Sequence, residues 1–171
     1  MTREQLEHVI RAAARIANAR EIVVVGSQAL LGEFRDAPPE LLQSMEADVY
    51  PRKHPERADL IDGAIGELSH FHETHGYYAH GVGPETATLP AGWEDRLVPV
   101  PVEEAVGLCL EIHDLVLSKY AAGRDKDRDF VRAAVKHGLV RQEVLASRVE
   151  TMPLVDELRT RIRAFIAADF R

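Results

Sequence analysis

Two carboxylates one residue apart are the side chains of this chain best suited to chemistry. Glu46 and Asp48 fall in the run Glu46–Tyr50, whose alternation predicts a β-strand with both acids on one face. Their backbone positions would be two strand rises apart, about 6.6 Å. Carboxylates this close repel each other unless a cation lies between them, and such oxygen ligands suit Mg²⁺ or Mn²⁺. A solvated sheet face carries the same pattern, so the metal interpretation depends on the neighbouring residues.

A Gly-Ser turn upstream of the acids is a candidate anion site. The apolar run Glu21–Val25 predicts a strand that is buried on both faces and ends at Gly26. Gly26 permits a tight turn and a close backbone approach, and Ser27 is placed to cap a short helix over Gln28–Phe34. The free N–H groups of such a helix start attract an anion. An ordinary strand-to-helix turn uses the same residues, but this turn and the acids together favour a metal beside a phosphate.

Basic residues that suit phosphate groups occur in the C-terminal third of the chain. Lys119 lies in a predicted helix, Leu115–Ala122, for which Asp114 is the expected cap. The following helix, Arg124–His137, has the most charged stretch of the chain as its first turn. Taken alone, a lysine on an exposed helix face and a solvated helix start explain these residues equally well.

Four histidines lie close together in the sequence. They are His70, His72, His75 and His80. Zinc sites favour histidine, usually at helical i, i+4 spacing or in pairs with cysteine, and this spacing matches neither pattern. Histidines on the surface near a strand are the favoured interpretation. A zinc-dependent hydrolase that uses these four residues is a weaker alternative.

The elements that position these side chains follow from hydrophobic periodicity. The strands are predicted at Glu21–Val25, Glu46–Tyr50, Tyr77–Val82, Leu97–Val102 and Val106–Leu110, and Pro99 and Pro101 make the fourth an edge strand or a strand end. The helices are predicted at Thr2–Asn18, Pro55–Leu68, Leu115–Ala122, Arg124–His137, Arg141–Glu150 and Leu154–Ala168. The fold class is therefore α/β (α+β), a mixed sheet flanked by helices. Residues 1–110 form the α/β core, and residues 111–171 form a helical subdomain packed on it.

Composition limits the classes of function. The chain has 171 residues, of which 46% are hydrophobic and 29% charged, as in a globular protein with one core. A net charge of −7 argues against broad binding of nucleic-acid backbone. No apolar run reaches the roughly 20 residues needed to span a bilayer, and the N-terminus has no signal-peptide stretch. The single cysteine, Cys109, suits the cytosol, so a cytoplasmic location is expected.

Three segments, in this order, resemble the nucleotidyltransferase superfamily. They are Val25–Leu30 (Val-Gly-Ser-Gln-Ala-Leu), Glu46–Val49 (Glu-Ala-Asp-Val) and Asp114–Asp127, which carries Lys119 and ends in Arg-Asp-Lys-Asp. More narrowly, the chain looks like the bacterial nucleotidyltransferase-like proteins related to AbiEii-type toxins. The resemblance covers about residues 20 to 137, and its last segment is the most specific.

The resemblance implies a nucleotidyltransferase-like fold and a role for each matching residue. Gly26 and Ser27 would hold the triphosphate of an NTP, and Glu46 and Asp48 would hold Mg²⁺ or Mn²⁺. The residues that would meet phosphates are Lys119, Arg124 and Lys126, and Asp129 would orient a basic neighbour. A nucleotidyl group would pass to an RNA or protein acceptor, in a toxin-like setting with an antitoxin partner.

Two departures from the family pattern concern catalysis. Glu46 stands where the family usually has aspartate, one methylene shorter. The third carboxylate expected on a neighbouring strand is absent near Tyr78–Val82, where His80 stands instead, and Glu85 lies in a loop. His80 would then be the catalytic base. Alternatively, the chain is a catalytically degenerate nucleotidyltransferase fold that acts as a binding or partner protein.

Overall fold

A five-stranded mixed sheet is the centre of the computed structural model, which describes residues 1–171. The strands are β1 (Glu21–Val24), β2 (Glu46–Pro51), β3 (Tyr78–Gly81), β4 (Val98–Val102) and β5 (Ala105–Cys109). Their order is β3-β2-β1-β5-β4. β1 is parallel to β5 and antiparallel to β2, β2 is parallel to β3, and β4 is antiparallel to β5. The predicted fold class is confirmed.

The position of each strand in the sheet follows from its residues. β1 lies at the centre, and Ile22, Val23 and Val24 are almost completely buried, as the continuous apolar run predicts. β4 lies at an edge, where Pro99 and Pro101 do not interrupt a second row of hydrogen bonds. The last predicted strand exists as β5 and is the parallel neighbour of β1.

Seven α-helices surround the sheet. They are α1 (Arg3–Ala17), α2 (Ala58–Ile65), α3 (His70–His75), α4 (Ile112–Ala122), α5 (Asp125–Lys136), α6 (Gln142–Arg148) and α7 (Asp156–Asp169). The predicted capping box of α1 is present, because Thr2 Oγ1 accepts a hydrogen bond from the Gln5 N–H and Gln5 Oε1 accepts one from the Thr2 N–H. None of these helices has the length and apolar character that crossing a bilayer requires.

The segment between β2 and β3 differs from its prediction. The helix expected over Pro55–Leu68 is a 3₁₀ turn, Pro55–Arg57, followed by the shorter α2. α3 was not predicted as a helix, because only Phe71 in it is apolar and a periodic pattern needs several such residues. Both capping residues of α3 are recognisable in the sequence. The Ser69 side chain accepts a hydrogen bond from the His72 N–H, and Gly76 ends the helix with φ 74°.

The start of α4 also corrects a prediction, since Asp114 is not its cap. Glu111 is the N-cap, and its carboxylate accepts hydrogen bonds from the N–H groups of His113 (3.2 Å) and Asp114 (3.4 Å). The fully buried Asp114 carboxylate instead binds Arg96 Nε at 2.8 Å and Arg148 Nη1 at 2.9 Å. Burial opposes ionisation of Glu111, but hydrogen bonds with His113 and Arg148 outweigh it and lower the pKa of Glu111 to about 2.

The core extends from the sheet into the C-terminal helices. A single cluster of 46 buried hydrophobic residues includes α1, the strands, and side chains of α4 to α7 such as Leu117, Leu145 and Ile162. α4 is the most buried helix of this half, with eight of its eleven residues inside. The division into residues 1–110 and 111–171 stays a prediction.

Candidate functional site

The two acids of β2 face an open cavity and are completed by β3. The side chains of Glu46 and Asp48 are 35% and 25% exposed, whereas the residues that alternate with them point into the core. The parallel register of β3 places Tyr78 opposite Glu46 and His80 opposite Asp48. Two strands therefore bring two carboxylates, a phenol and an imidazole to one face of the sheet.

His80 lies between the two acids. Its Nδ1 is 3.0 Å from Glu46 Oε1 and 3.0 Å from Asp48 Oδ1. Burial opposes protonation of the ring, but the hydrogen bond and charge of Asp48 and the charge of Glu46 raise the pKa of His80. Burial and the adjacent Glu46 raise the pKa of Asp48. The cluster thus carries excess negative charge and favours a cation between its carboxylates.

Gly26 makes room for the Asp48 side chain. A Cβ atom at position 26 would lie 2.8 Å from Asp48 Cγ and 3.0 Å from Asp48 Cβ, and closer still to Oδ2. The φ of Gly26 is −79°, which any residue adopts, so the position requires the absence of a side chain and not glycine's backbone freedom. The predicted close backbone approach exists, and its partner is Asp48.

Ser27 does not cap a helix as the sequence predicted. It is the first residue of a 3₁₀ helix, Ser27–Gly32, and Gly26 occupies the N-cap position without any side-chain hydrogen bond. The cap is missing because Ser27 already lies inside the helix. Its side chain borders the cavity. The next residue, Gln28, is fully buried, and neither atom of its amide has a hydrogen-bond partner.

The basic residues reach the cavity from the opposite side and are joined by Asp127. Lys119 Nζ of α4 is 3.2 Å from Asp127 Oδ1, and Arg124 Nε at the start of α5 is 2.7 Å from Asp127 Oδ2. Burial opposes ionisation of Asp127, yet the hydrogen bond from Arg124 and the charge of Lys119 lower its pKa. Asp127 is therefore the acid that contacts both Lys119 and Arg124, and the role expected for Asp129 stays a prediction. The Asp129 side chain is 78% exposed, and its ion-pair partner is Arg132 at 3.9 Å and not Lys119 or Arg124.

These two groups of residues line one cavity of about 850 Å³. Ser27, Glu46, Asp48, His80, Lys119, Arg124 and Lys126 all border it, and Gly26 lies behind Asp48. The charges balance, since five carboxylates and five lysine or arginine side chains line the wall. The acids are Glu40, Glu46, Asp48, Asp127 and Asp129, and the bases are Lys119, Arg124, Lys126, Arg132 and Lys136.

One protein family matches this chain over almost its whole length. Its model, described as a nucleotidyltransferase of unknown function (DUF6036), covers residues 4–167. The chain belongs to this family. Comparisons with curated proteins and with solved structures gave no significant match. The narrower relation to AbiEii-type toxins is not part of this finding and stays a prediction.

A divalent cation fits this nucleotidyltransferase-family chain at one place. Ligand atoms of Glu46, Asp48 and His80 lie within 4.8 Å of one another, and they form the one such group in the molecule. Two carboxylate oxygens suit Mg²⁺ or Mn²⁺, and an imidazole nitrogen is compatible with Mn²⁺ and zinc. His70, His72 and His75 lie on α3 and do not join His80, so the four-histidine zinc site is not formed.

Sequence reasoning missed two residues of this nucleotidyltransferase-family site. Tyr78 was not named as a site residue. It shares a strand face with His80 at i, i+2 spacing, and this spacing is the signal that would have found it. Asp127 was passed over in favour of Asp129. The i, i+3 spacing of Arg124 and Asp127 at a helix start was the available signal.

Proposed function

We propose that this chain is a metal-dependent nucleotidyltransferase that binds an NTP in the 850 Å³ cavity. The observation that carries the proposal is the meeting of Glu46 and Asp48 with Lys119 and Arg124 across one cavity bordered by Ser27. Family membership supports it independently. An acidic wall for a cation opposite a basic wall for phosphates is the charge arrangement that a metal–triphosphate complex requires.

Each wall has its own task in this proposal. Glu46 and Asp48 hold Mg²⁺ or Mn²⁺, which when bound neutralises charge on the phosphate oxygens. Gly26 and Ser27 border the triphosphate, and the absence of a side chain at Gly26 leaves room for the Asp48 carboxyl. Lys119 is 11% exposed and bound to Asp127, so its ammonium is held in one place, as positioning of a charged substrate requires.

The proposed reaction is the transfer of a nucleotidyl group. An oxygen of the acceptor forms a bond to the α-phosphorus, the bond from that phosphorus to the bridging oxygen of the β-phosphate breaks, and pyrophosphate leaves. The acceptor hydroxyl loses its proton to a base, for which His80 is the candidate. Lys119, Arg124 and Lys126 stabilise the charge on the departing phosphates.

The acceptor and partners belong to the same proposal. The resemblance to AbiEii-type toxins supports an RNA or protein acceptor and a cognate antitoxin, and we propose a cytoplasmic location on the basis of the single cysteine. Growth arrest on expression of the intact protein, relieved by the Asp48→Ala variant, is the expected result of a toxin-like activity. Equal growth with both proteins contradicts the toxin role.

Calorimetry with each of the four NTPs and Mg²⁺ tests nucleotide binding. We expect binding of at least one NTP by the unaltered protein and its loss in a Glu46→Ala, Asp48→Ala double variant. The matched control is Asp59→Ala with Glu157→Ala, which removes the same two charges from exposed positions away from the cavity. Absence of binding by the unaltered protein, or equal binding by both double variants, rejects the proposal.

A catalytically degenerate binding or partner protein is the second candidate. The observation that favours it is that β3 offers His80, and not a third carboxylate, opposite the two acids. Incubation with α-labelled NTP and a cell lysate separates the two functions. Label transfer that depends on Asp48 supports the enzyme, and NTP binding without any transfer supports the degenerate protein.

A further inference from the structure

We infer that Tyr78 is a positioning residue, which holds the Glu46 carboxylate in the orientation that a bound cation needs. The inference rests on the proposed metal site. The Tyr78 hydroxyl donates a hydrogen bond to Glu46 Oε2 at 3.0 Å. The other oxygen, Oε1, lies 3.0 Å from His80 Nδ1, which is also 3.0 Å from Asp48 Oδ1. One oxygen of Glu46 is therefore anchored while the other remains available as a ligand.

Glu46 needs this anchor more than Asp48 does. Glutamate has one more rotatable bond than aspartate, and fixing a glutamate side chain costs up to about 1.5–2 kcal/mol of rotamer entropy. Asp48 is the more buried of the two, and its carboxyl packs against the backbone of Gly26. Glu46 is the more exposed of the two, and its Oε1 is hydrogen-bonded with the exposed His80. The Tyr78 hydroxyl is the fixed group that selects its rotamer.

The Tyr78 ring is itself held by a second contact. The His72 ring packs against it with centroids 4.5 Å apart, and His72 Nδ1 accepts a hydrogen bond from the Leu68 N–H at 3.0 Å. A tyrosine hydroxyl keeps its proton at neutral pH, so the phenol remains a donor to the Glu46 carboxylate. A fixed and permanent donor is what an outer-sphere partner of a metal ligand requires.

Mn²⁺ binding without nucleotide, measured by electron paramagnetic resonance, tests the inference on the full chain. We expect Tyr78→Phe to weaken Mn²⁺ binding about 10- to 100-fold, the usual cost of losing an outer-sphere partner of a metal ligand. Tyr77→Phe is the matched control. The Tyr77 hydroxyl lies 2.7 Å from His8 Nδ1 on another part of the surface, so we expect unchanged Mn²⁺ binding.

A double-mutant cycle with Glu46→Asp distinguishes positioning from a general structural effect. The shorter aspartate does not reach the Tyr78 hydroxyl, so Tyr78→Phe should weaken Mn²⁺ binding less than twofold in the Glu46→Asp background. An equal loss in both backgrounds, or no loss in the unaltered background, overturns the positioning role and leaves the proposed function intact. Absence of Mn²⁺ binding by the unaltered protein overturns both.

Discussion

Replacing Gly26 by alanine should separate the metal site from the stability of the fold. The new Cβ would lie 2.8 Å from Asp48 Cγ, whereas carbon atoms in contact prefer about 3.5–4.0 Å. The Asp48 carboxyl must therefore move by at least about 0.7 Å. Since the backbone of Gly26 suits any residue, the strain lies in the contact with Asp48. Rotation can move the carboxyl, whereas the 3.0 Å approach to Asp48 Cβ requires a small shift between the strands.

The cost to stability should be small and the cost to binding large. The Asp48 side chain is 25% exposed toward the cavity, so it can rotate, and Gly→Ala itself contributes about 0.4–1 kcal/mol through the unfolded chain. We expect the free energy of unfolding to change by less than about 1 kcal/mol. Metal–ligand distances stay within about 0.2 Å of their ordinary values, so a displacement of this size should weaken Mn²⁺ binding about 10- to 100-fold.

Urea unfolding and Mn²⁺ titration of the same preparations measure the two effects. Gly63→Ala in α2 is the matched control, because a Cβ there meets no atom within 4 Å. It should leave Mn²⁺ binding unchanged and stabilise the helix by about 0.5–1 kcal/mol. Unaltered Mn²⁺ affinity in Gly26→Ala would refute the assignment of Asp48 as a ligand. A loss of more than about 3 kcal/mol in stability would refute the freedom of Asp48 to move.

Three further predictions concern stability, and urea or thermal unfolding measures each. Gln28→Met removes a fully buried amide that has no hydrogen-bond partner, so it should stabilise the protein by about 1–3 kcal/mol. Destabilisation would mean that the Gln28 amide makes hydrogen bonds in the folded protein. Asp127→Asn leaves Lys119, which is 11% exposed, without its counter-charge and should lower the free energy of unfolding by about 3–5 kcal/mol. Asp129→Asn, at an exposed position, should lower it by less than about 0.5 kcal/mol. Equal losses would contradict the assignment of Asp127 as the partner of Lys119. The lowered pKa of Glu111, about 2, makes its ionised form stabilising above the ordinary value of 4.5. Glu111 should therefore contribute about 3 kcal/mol to the stability lost as the pH falls from 4.5 through 2, and Glu111→Gln should lose about 3 kcal/mol less than the unaltered protein over that range.

Several elements of the fold were predictable from the sequence because their local patterns agree with their tertiary packing. The apolar run of β1 predicts a central strand, the prolines of β4 predict an edge, and the capping box of α1 predicts its first turn. The predictions failed where a side chain has a stronger tertiary partner than its local one. Asp114 looked like a cap and instead binds two arginines from distant segments. No local pattern carries that information.

Residue types and their spacing established which chemistry this chain can hold. The sequence supplied the acid pair of β2, the Gly26–Ser27 turn and the basic residues near Lys119, and the alternation of a strand is enough to put the two acids on one face. Which residues contact the acid pair and the basic residues depends on the packing of distant segments. The parallel pairing of β3 with β2 set Tyr78 beside Glu46 and His80 beside Asp48, and the packing of α5 against α4 set Asp127 beside Lys119. Strand register and helix packing depend on contacts between residues far apart in the chain, which periodicity within a short segment does not encode.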